Sequence, residues 1–315
     1  MNKLIITLAP FPSIEYIYRV ETFKPGEVLT SKNVSLNILS KGVYSAQIMK
    51  VLQAEPVLIS SFGGFAGKSI KHYLDKSKVK SDIVWTEDET PHQVKIIIQD
   101  QPEAYILRSQ EHFTLEKEYI KLTHKLKSHI NKVSTLVLSG KLPHQLASQM
   151  MTEWISLAKA QNVKTVISTG QKEVWDVLKE NKPYAILLTE DQLRDLELAE
   201  DTIENTIRKL AFFLGEGLHY ICIYLKNKGA FILTKNKYCY VQSPFHLLNL
   251  NNTATSGAFL GALAIAINRN YEQEKIAKFC LAAALSADDN AAHSISNRKD
   301  IEYGYKKTKV KQIYV

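Results

Sequence analysis

Short apolar runs alternate with longer amphipathic segments along most of this 315-residue chain. The runs are rich in Val, Ile and Leu, and their apolar positions are continuous rather than alternating. That pattern predicts buried parallel strands, covered by helices on both faces of a sheet. The predicted strands are Leu4–Leu8, Val57–Ser61, Thr135–Ser139, Lys164–Ser168, Tyr184–Thr189 and Ile221–Leu225.

The segments between these strands have two kinds of periodicity. Leu146–Ala160 places apolar residues at helical spacing and predicts a helix packed on the sheet. Ile14–Thr30 and Ile83–Arg108 instead alternate Tyr, Ile and Val with polar residues, which favours half-exposed antiparallel strands. We therefore expect an α/β core with a small β lid, built from two excursions at about residues 14–38 and 83–108. With no linker-like segment, residues 1–315 are predicted to form a single domain.

Composition narrows the class of protein. The hydrophobic content of 45% and charged content of 23% are typical of a globular protein. The longest apolar run, Gly257–Ile267, is about half of what a membrane span needs, so no membrane partner is expected. Three cysteines without CxxC spacing disfavour a disulfide framework or a zinc site, and we expect a cytoplasmic protein; they are Cys222, Cys239 and Cys280.

The net charge of +8 favours anionic partners. The densest basic runs, Lys71–Lys80 and Tyr305–Lys311, each contain a single Tyr rather than regularly interleaved aromatic residues. Solvated basic faces explain them better than a nucleic-acid platform does. The anionic partners that this charge allows include sugar phosphates and nucleotides, and nucleic acid is not expected.

One long segment lacks acidic residues. No Asp or Glu occurs from Gly217 to Tyr271. Within it, small polar residues lead into an apolar helix predicted to begin near Ala258. Thr255, Ser256 and Gly257 at such a start would form a backbone nest for a phosphate; alternatively, Thr255 or Ser256 is only an N-cap.

Several motifs, weak individually, occur in a characteristic order. They are P-S-I-E-Y-I-Y at Pro12–Tyr18, S-K-G at Ser40–Gly42, F-G-G at Phe62–Gly64, L-S-G-K-L-P at Leu138–Pro143 and A-F-L-G-A-L from Ala258. Together they resemble the PfkB/ribokinase family, nearest to its tagatose-6-phosphate kinases and 1-phosphofructokinases. The resemblance implies a ribokinase-like, doubly wound, mostly parallel sheet with a small β lid. It also implies a sugar-phosphate substrate, ATP and Mg²⁺ as cofactors if the chain is active, and a homodimer paired through the lids.

The sequence departs from the family pattern at the position of the catalytic residue. The family's G-A-G-D motif ends in the Asp that deprotonates the sugar hydroxyl. Here that position is Gly257, or Ser256 when the alignment is anchored on Pro244. Neither side chain can act as a carboxylate base, so no catalytic residue is assigned. Loss of a general base typically costs about 10²–10⁴ in rate.

Other family positions have changed as well. Two substrate-loop glycines are replaced, a sugar-contacting Asn is a Tyr, a phosphate-binding Arg is a Pro, and the K-P-N-x-x-E element has lost its Asn and Glu. The residues now present are Leu39, Ser40, Tyr44, Pro91, Thr189 and Gln192. The nucleotide loop reads Y-L-K-N-K-G and keeps only its last glycine, Gly229.

The resemblance assigns two sets of site residues and no metal ligand. The substrate-binding set is Glu15, Lys41, Gly42, Arg108, Ser139 and Gly140; the cofactor-binding set is Gly229, Thr255, Ser256 and Gly257. Lys41 could equally be a surface lysine, and Arg108 a solvent-facing strand residue. Two further groups are better explained as structural or loop residues than as a base or a metal site: the histidines His92 and His246, and the cluster Asp288, Asp289 and His293.

Three functions remain open. The favoured one is a catalytically degenerate sugar-phosphate kinase homologue that keeps a sugar-phosphate or nucleotide cleft. The second is an active ketohexose-phosphate kinase with a non-standard base. The third is a basic interaction protein with a vestigial cleft.

Overall fold

The computed structural model describes residues 4–99, 101, 103–109, 115–244, 252–287 and 297–313. The strands in this part of the chain are β1 (Leu4–Leu8), β2 (Ser13–Val20), β3 (Asn33–Leu39), β4 (Pro56–Gly63), β5 (Lys80–Thr86), β6 (His92–Ile98), β7 (Ala104–Arg108), β8 (Val133–Ser139), β9 (Lys164–Ser168), β10 (Ala185–Thr189), β11 (Tyr220–Tyr224), β12 (Gly229–Leu233), β13 (Tyr238–Gln242) and β14 (Lys309–Ile313).

The helices are α1 (Lys41–Val51), α2 (Gly64–Lys76), α3 (Leu115–His129), α4 (Ala147–Ala160), α5 (Lys172–Glu180), α6 (Glu190–Asp195), α7 (Ile203–Ala211), α8 (Asn252–Asn268), α9 (Gln273–Ser286) and α10 (Arg298–Lys307). Two short 3₁₀ helices cover Ile130–Lys132 and Lys226–Lys228.

Ten of the strands form one sheet in the order β14-β13-β12-β11-β10-β9-β8-β1-β4-β5. Neighbours are parallel from β5 to β11 and antiparallel from β11 to β14. The predicted strands and the helix predicted at Leu146–Ala160 are all present. The predicted fold class, a mostly parallel α/β sheet, is confirmed.

Both faces of this sheet are covered, which explains the continuous apolar strands. In β11, Ile221 and Ile223 pack into a core with α3, α4, α5 and α7. The alternate residues, Cys222 and Tyr224, pack into a second core with α1, α8 and α9. Because successive strand residues point to opposite faces, every position of such a strand must be apolar.

A second, four-stranded sheet has the order β3-β2-β6-β7 and forms the lid. Its first part, Ser13 to Leu39, corresponds to the first predicted excursion. The predicted start of the second excursion is wrong, because residues 83–86 belong to β5 and pair with β4 in the large sheet. As an edge strand β5 is only half covered, with Val84 buried and Trp85 exposed, so its pattern alternates as a lid strand would.

Helix α8 is buried all round. Every residue from Ala254 to Ile267 is buried, between α1, α9 and the sheet, as expected for a helix that is apolar on all sides. Two glycines one turn apart, Gly257 and Gly261, allow α1 to lie against it: a Cβ at Gly261 would stand 2.5 Å from the Ser45 carbonyl oxygen. Within the described ranges, no helix is both long and apolar enough to cross a membrane.

Candidate functional site

The first residues of α1 lie at the carboxyl ends of the central strands, where ligands bind in doubly wound sheets. Ser40 caps the helix, its Oγ accepting a hydrogen bond of 3.3 Å from the Val43 N–H. Gly42 is tightly packed, since an added Cβ would lie 2.4 Å from Ala9 Cβ and 2.9 Å from Ser139 Oγ. The structure thus brings the predicted residues Lys41, Gly42 and Ser139 together.

Ser139 and Gly140 end β8 beside this helix start. Ser139 is 4% exposed, and its Oγ has no hydrogen-bond partner among the described residues. Gly140 has φ of 111°, a backbone conformation that favours glycine. A buried hydroxyl without a partner is costly, so this end of β8 offers a group that a ligand could engage.

The predicted start of the apolar helix is wrong. Helix α8 begins at Asn252 rather than near Ala258, so Thr255, Ser256 and Gly257 lie inside it. The Ser256 hydroxyl donates to the Asn252 carbonyl oxygen one turn back, and the Thr255 hydroxyl makes a 3.5 Å bond to the same oxygen. These side chains are neither N-caps nor parts of a nest, because the helix already uses their backbone N–H groups.

Gly257 is a helix-packing residue. An added Cβ would lie 2.7 Å from the Lys41 carbonyl oxygen, 2.7 Å from Tyr44 Cβ and 3.2 Å from Lys41 Cα. Two of these three atoms belong to the backbone of α1, so they cannot move aside cheaply. If residue 257 is the position of the family's catalytic carboxylate, as the alignment anchored on Ala258 has it, that position has no room for a side chain.

Lys41 is the cationic group of the cleft. Its side chain is partly buried, and desolvation lowers its pKa to about 8, while Asp191 and Asp195 of α6 act in the opposite direction. Reasoning from sequence missed both carboxylates, although Asp191 lies within the L-L-T-E-D-Q segment. Only the fold, which brings these two carboxylates near enough to act on Lys41, reveals them.

Helix α6 begins within the segment that replaces the K-P-N-x-x-E element. Thr189 Oγ1 accepts from the Gln192 N–H at 3.3 Å, and Gln192 Oε1 accepts from the Thr189 N–H at 3.0 Å. This reciprocal capping box stabilises the start of α6. The adjacent Asp191 is held by Lys226, whose Nζ lies 3.2 Å from Asp191 Oδ2, and by Arg194.

Gly229 is required by the backbone of the β12–β13 hairpin. Its φ is 130°, and an added Cβ would lie 2.1 Å from the Val241 carbonyl oxygen. This geometry accounts for the retained glycine without a nucleotide. Its cofactor-binding role remains a prediction.

The lid contributes a hydrogen-bonded chain of polar side chains. Glu15 is 7% exposed, and its two carboxylate oxygens accept from Gln93 Nε2 at 2.6 Å and from Asn37 Nδ2 at 3.3 Å. Arg108 Nε in turn donates to Gln93 Oε1 at 3.0 Å. Glu15 and Arg108 are therefore linked through Gln93, a residue that the sequence pattern did not single out because its pairing with Glu15 arises from the β2–β6 register.

The remaining predicted positions add little to the cleft. His92 is exposed at the start of β6, and the Pro91 carbonyl oxygen accepts from the Ile14 N–H at 3.1 Å. His246, Asp288, Asp289 and His293 lie outside the described residues.

The cleft fits a phosphate better than it fits a protein-held metal. Lys41 supplies positive charge, and the first turn of α8 contains no acidic residue. Over the described ranges no three His, Cys, Asp or Glu side chains are grouped to hold a metal ion. Mg²⁺ commonly binds through phosphates and water, so ATP would have to supply most of its ligands here.

The two sheets and the cleft beside α1 define a lid-bearing α/β protein. A model of the pfkB family carbohydrate kinases matches residues 11–294. A 1-phosphofructokinase of Borreliella burgdorferi is 28% identical over 235 residues, covering 74% of this chain and 75% of that protein. A tagatose-6-phosphate kinase of Staphylococcus epidermidis is 24% identical over 285 residues, covering 87% of this chain and 89% of that protein.

Among solved structures, the tetrameric inhibited form of phosphofructokinase-2 from Escherichia coli has the same fold. The TM-score is 0.82 at 20% identity, and the match covers 96% of this chain and 98% of that one. The chain belongs to the pfkB family of carbohydrate kinases, as its motifs predicted.

Proposed function

We propose that this chain binds a sugar phosphate and a nucleotide in the cleft around Lys41 but transfers the phosphoryl group slowly. The observation that carries the proposal is the packing of Gly257 against the Lys41 carbonyl oxygen, which leaves no space for a carboxylate at residue 257. Substrate binding is supported by Lys41, by the buried Ser139 hydroxyl and by the Glu15–Gln93–Arg108 chain.

The relatives suggest which substrates to try. Their names point to fructose 1-phosphate and tagatose 6-phosphate, and membership of a carbohydrate kinase family suggests ATP and Mg²⁺ as cofactors. In this proposal a phosphate at the cleft would favour the charged form of Lys41, whose pKa burial has lowered to about 8. Without a base to deprotonate the bound sugar hydroxyl, the rate of phosphoryl transfer would be lower by a factor of about 10²–10⁴.

The test combines thermal unfolding with a phosphoryl-transfer assay, using the Borreliella burgdorferi 1-phosphofructokinase as a positive control. We expect ATP–Mg²⁺ and one of the two sugar phosphates to raise the melting temperature, while turnover stays at least about 100-fold below the control. Lys41→Met should remove the sugar-phosphate shift. Lys50→Met, on the same helix but paired with Glu55, should not. Turnover comparable to the control would refute slow transfer.

A second candidate is an active kinase in which α6 supplies the base. Asp195 is exposed, acts electrostatically on Lys41, and makes no ion pair within 4.0 Å in the described part of the chain. If it accepts the sugar proton, Asp195→Asn should lower kcat by at least about 100-fold with little change in KM. Asp201→Asn, an exposed acid beyond α6, is the control.

The third candidate, a basic interaction protein, would be favoured if no nucleotide or sugar phosphate shifted the melting temperature. A homodimer paired through the lids and a cytoplasmic location remain predictions that accompany the proposal. Sedimentation equilibrium tests the first of them.

A further inference from the structure

A small acidic pocket lies at the hinge between the large sheet and the lid. The pocket is partly open to solvent, and its volume of about 20 Å³ is enough for one group of the size of a water molecule. It lies at the ends of β4 and β5, where the chain enters the lid. The lining residues are Phe11, Pro12, Ser61, Phe62, Thr86, Asp88, Glu89, Thr90, Pro91 and Glu118.

Most polar groups of this pocket already have partners. Glu89 caps α2, its carboxylate accepting from the Phe65 N–H at 3.0 Å and from the Ala66 N–H at 2.7 Å. The Thr90 hydroxyl bonds to the Gly63 carbonyl oxygen at 2.8 Å. These contacts hold the walls in place and leave few groups for a ligand.

Glu118 differs from these residues. It projects from α3, is 6% exposed, and its Oε2 has no hydrogen-bond partner among the described residues. Burial raises its pKa, and the charge of nearby Asp88 acts in the same direction. A buried carboxylate oxygen without a donor costs stability, and a positively charged donor would offset that cost.

The same pocket has an apolar and partly aromatic lining, formed by Phe11, Pro12 and Phe62. The Phe62 ring is itself held by a T-shaped contact with Trp85, with ring centroids 5.4 Å apart. Carboxylates combined with aromatic carbon form an environment that recognises an ammonium group. The volume excludes a large quaternary head, and the described residues hold no cluster suited to a metal ion.

We propose that this pocket binds a primary ammonium group, with Glu118 as its main acceptor and Asp88 as the second charge. The ligand class is a small amine, or a sugar that carries an amino group. Lys41 is not among the residues that line this pocket, and the proposal does not depend on whether the chain transfers phosphate.

The test is thermal unfolding of the full chain in methylammonium chloride, with tetramethylammonium chloride and potassium chloride at equal ionic strength. We expect a saturable rise in melting temperature with methylammonium alone. An equal rise in all three salts would overturn the proposal, because it would show an ionic-strength effect. A rise with potassium but not with methylammonium, or no rise at all, would overturn it as well.

Two variants locate the effect. Glu118→Gln keeps the side-chain shape but removes the charge. It should weaken the apparent affinity for methylammonium by at least about ten-fold. Without ligand, this variant should be at least as stable as wild type. Glu116→Gln changes an exposed acid of the same helix and should leave the affinity unchanged. Equal responses of wild type and Glu118→Gln would place the ion elsewhere. The salt comparison on wild type decides the question even if a variant fails to fold.

Discussion

The contact between α8 and α1 makes a quantitative prediction about Gly257. In Gly257→Ala the new Cβ would approach the Lys41 carbonyl oxygen and Tyr44 Cβ to 2.7 Å each. Overpacking of this kind costs about 1–3 kcal/mol, and the backbone atoms of α1 place this site in the upper half of that range. Replacing Gly by Ala within a helix contributes about 1 kcal/mol in the opposite direction. We expect a net loss of about 1–2 kcal/mol in the free energy of unfolding.

Gly304 of α10 is the matched control. There an added Cβ would meet Ala282 atoms at 3.5 Å, an ordinary contact distance. Gly304→Ala should therefore stabilise the protein by about 0.5–1 kcal/mol through helix propensity alone. Urea unfolding of the two variants and wild type, with equal m-values, measures the difference, which we expect to be about 1.5–3 kcal/mol.

The same packing predicts the outcome of restoring the family carboxylate. Gly257→Asp adds a buried charge to the steric clash and should lose about 3 kcal/mol or more without gaining turnover. If Gly257→Ala were as stable as Gly304→Ala, or if Gly257→Asp folded normally and phosphorylated a sugar phosphate rapidly, our account of this helix contact would be wrong.

Three further predictions concern Lys41, Gly229 and the thiols. The pKa of Lys41 is about 8 in the folded protein and 10.5 ordinarily, so between these pH values the unfolded chain carries this proton and the folded chain does not, and the free energy of unfolding should rise with pH. Lys41→Met should lack this rise, which we expect to be roughly 1–3 kcal/mol when urea unfolding at pH 7.5 is compared with urea unfolding at pH 10. Gly229→Ala should lower the free energy of unfolding by about 2–4 kcal/mol, because the new residue would have a φ of 130° and its Cβ would lie 2.1 Å from the Val241 carbonyl oxygen. Gly26→Ala, with a φ of 80° but open space around the Cβ, should lower it less in the same experiment. A thiol reagent should modify none of the buried cysteines until urea unfolds the chain, because burial raises the pKa of each thiol; these residues are Cys222, Cys239 and Cys280. Labelling of the folded protein would contradict this prediction.

The sequence predicted the large sheet well because burial on both faces leaves a local signature. Each predicted core strand is present, and its apolar residues alternate between cores on the two faces of the sheet. The same local reasoning assigned residues 83–86 to the lid, because an edge strand and a lid strand have the same half-exposed pattern. Neighbouring residues along the chain do not show which sheet a half-exposed strand joins.

The start of α8 shows a second limit of prediction from sequence. The polar run before Ala258 predicted a loop, yet the helix begins at Asn252. Ser and Thr fit inside a helix when their hydroxyls bond back to a carbonyl one turn earlier, as Ser256 does to Asn252. Close packing against α1 then makes up for the low helix propensity of this segment.

The sequence alone determined the family, the order of the strands along the chain and the absence of an acidic residue from Gly217 to Tyr271, since each depends only on residue identity and spacing. Only the tertiary structure decided that Gly257 is closed off by α1, that two α6 carboxylates act on Lys41, and that Glu118 faces a pocket without a partner. These features join residues far apart in the chain. Their distances depend on how helices pack across the sheet, which no local pattern of apolar and polar residues specifies.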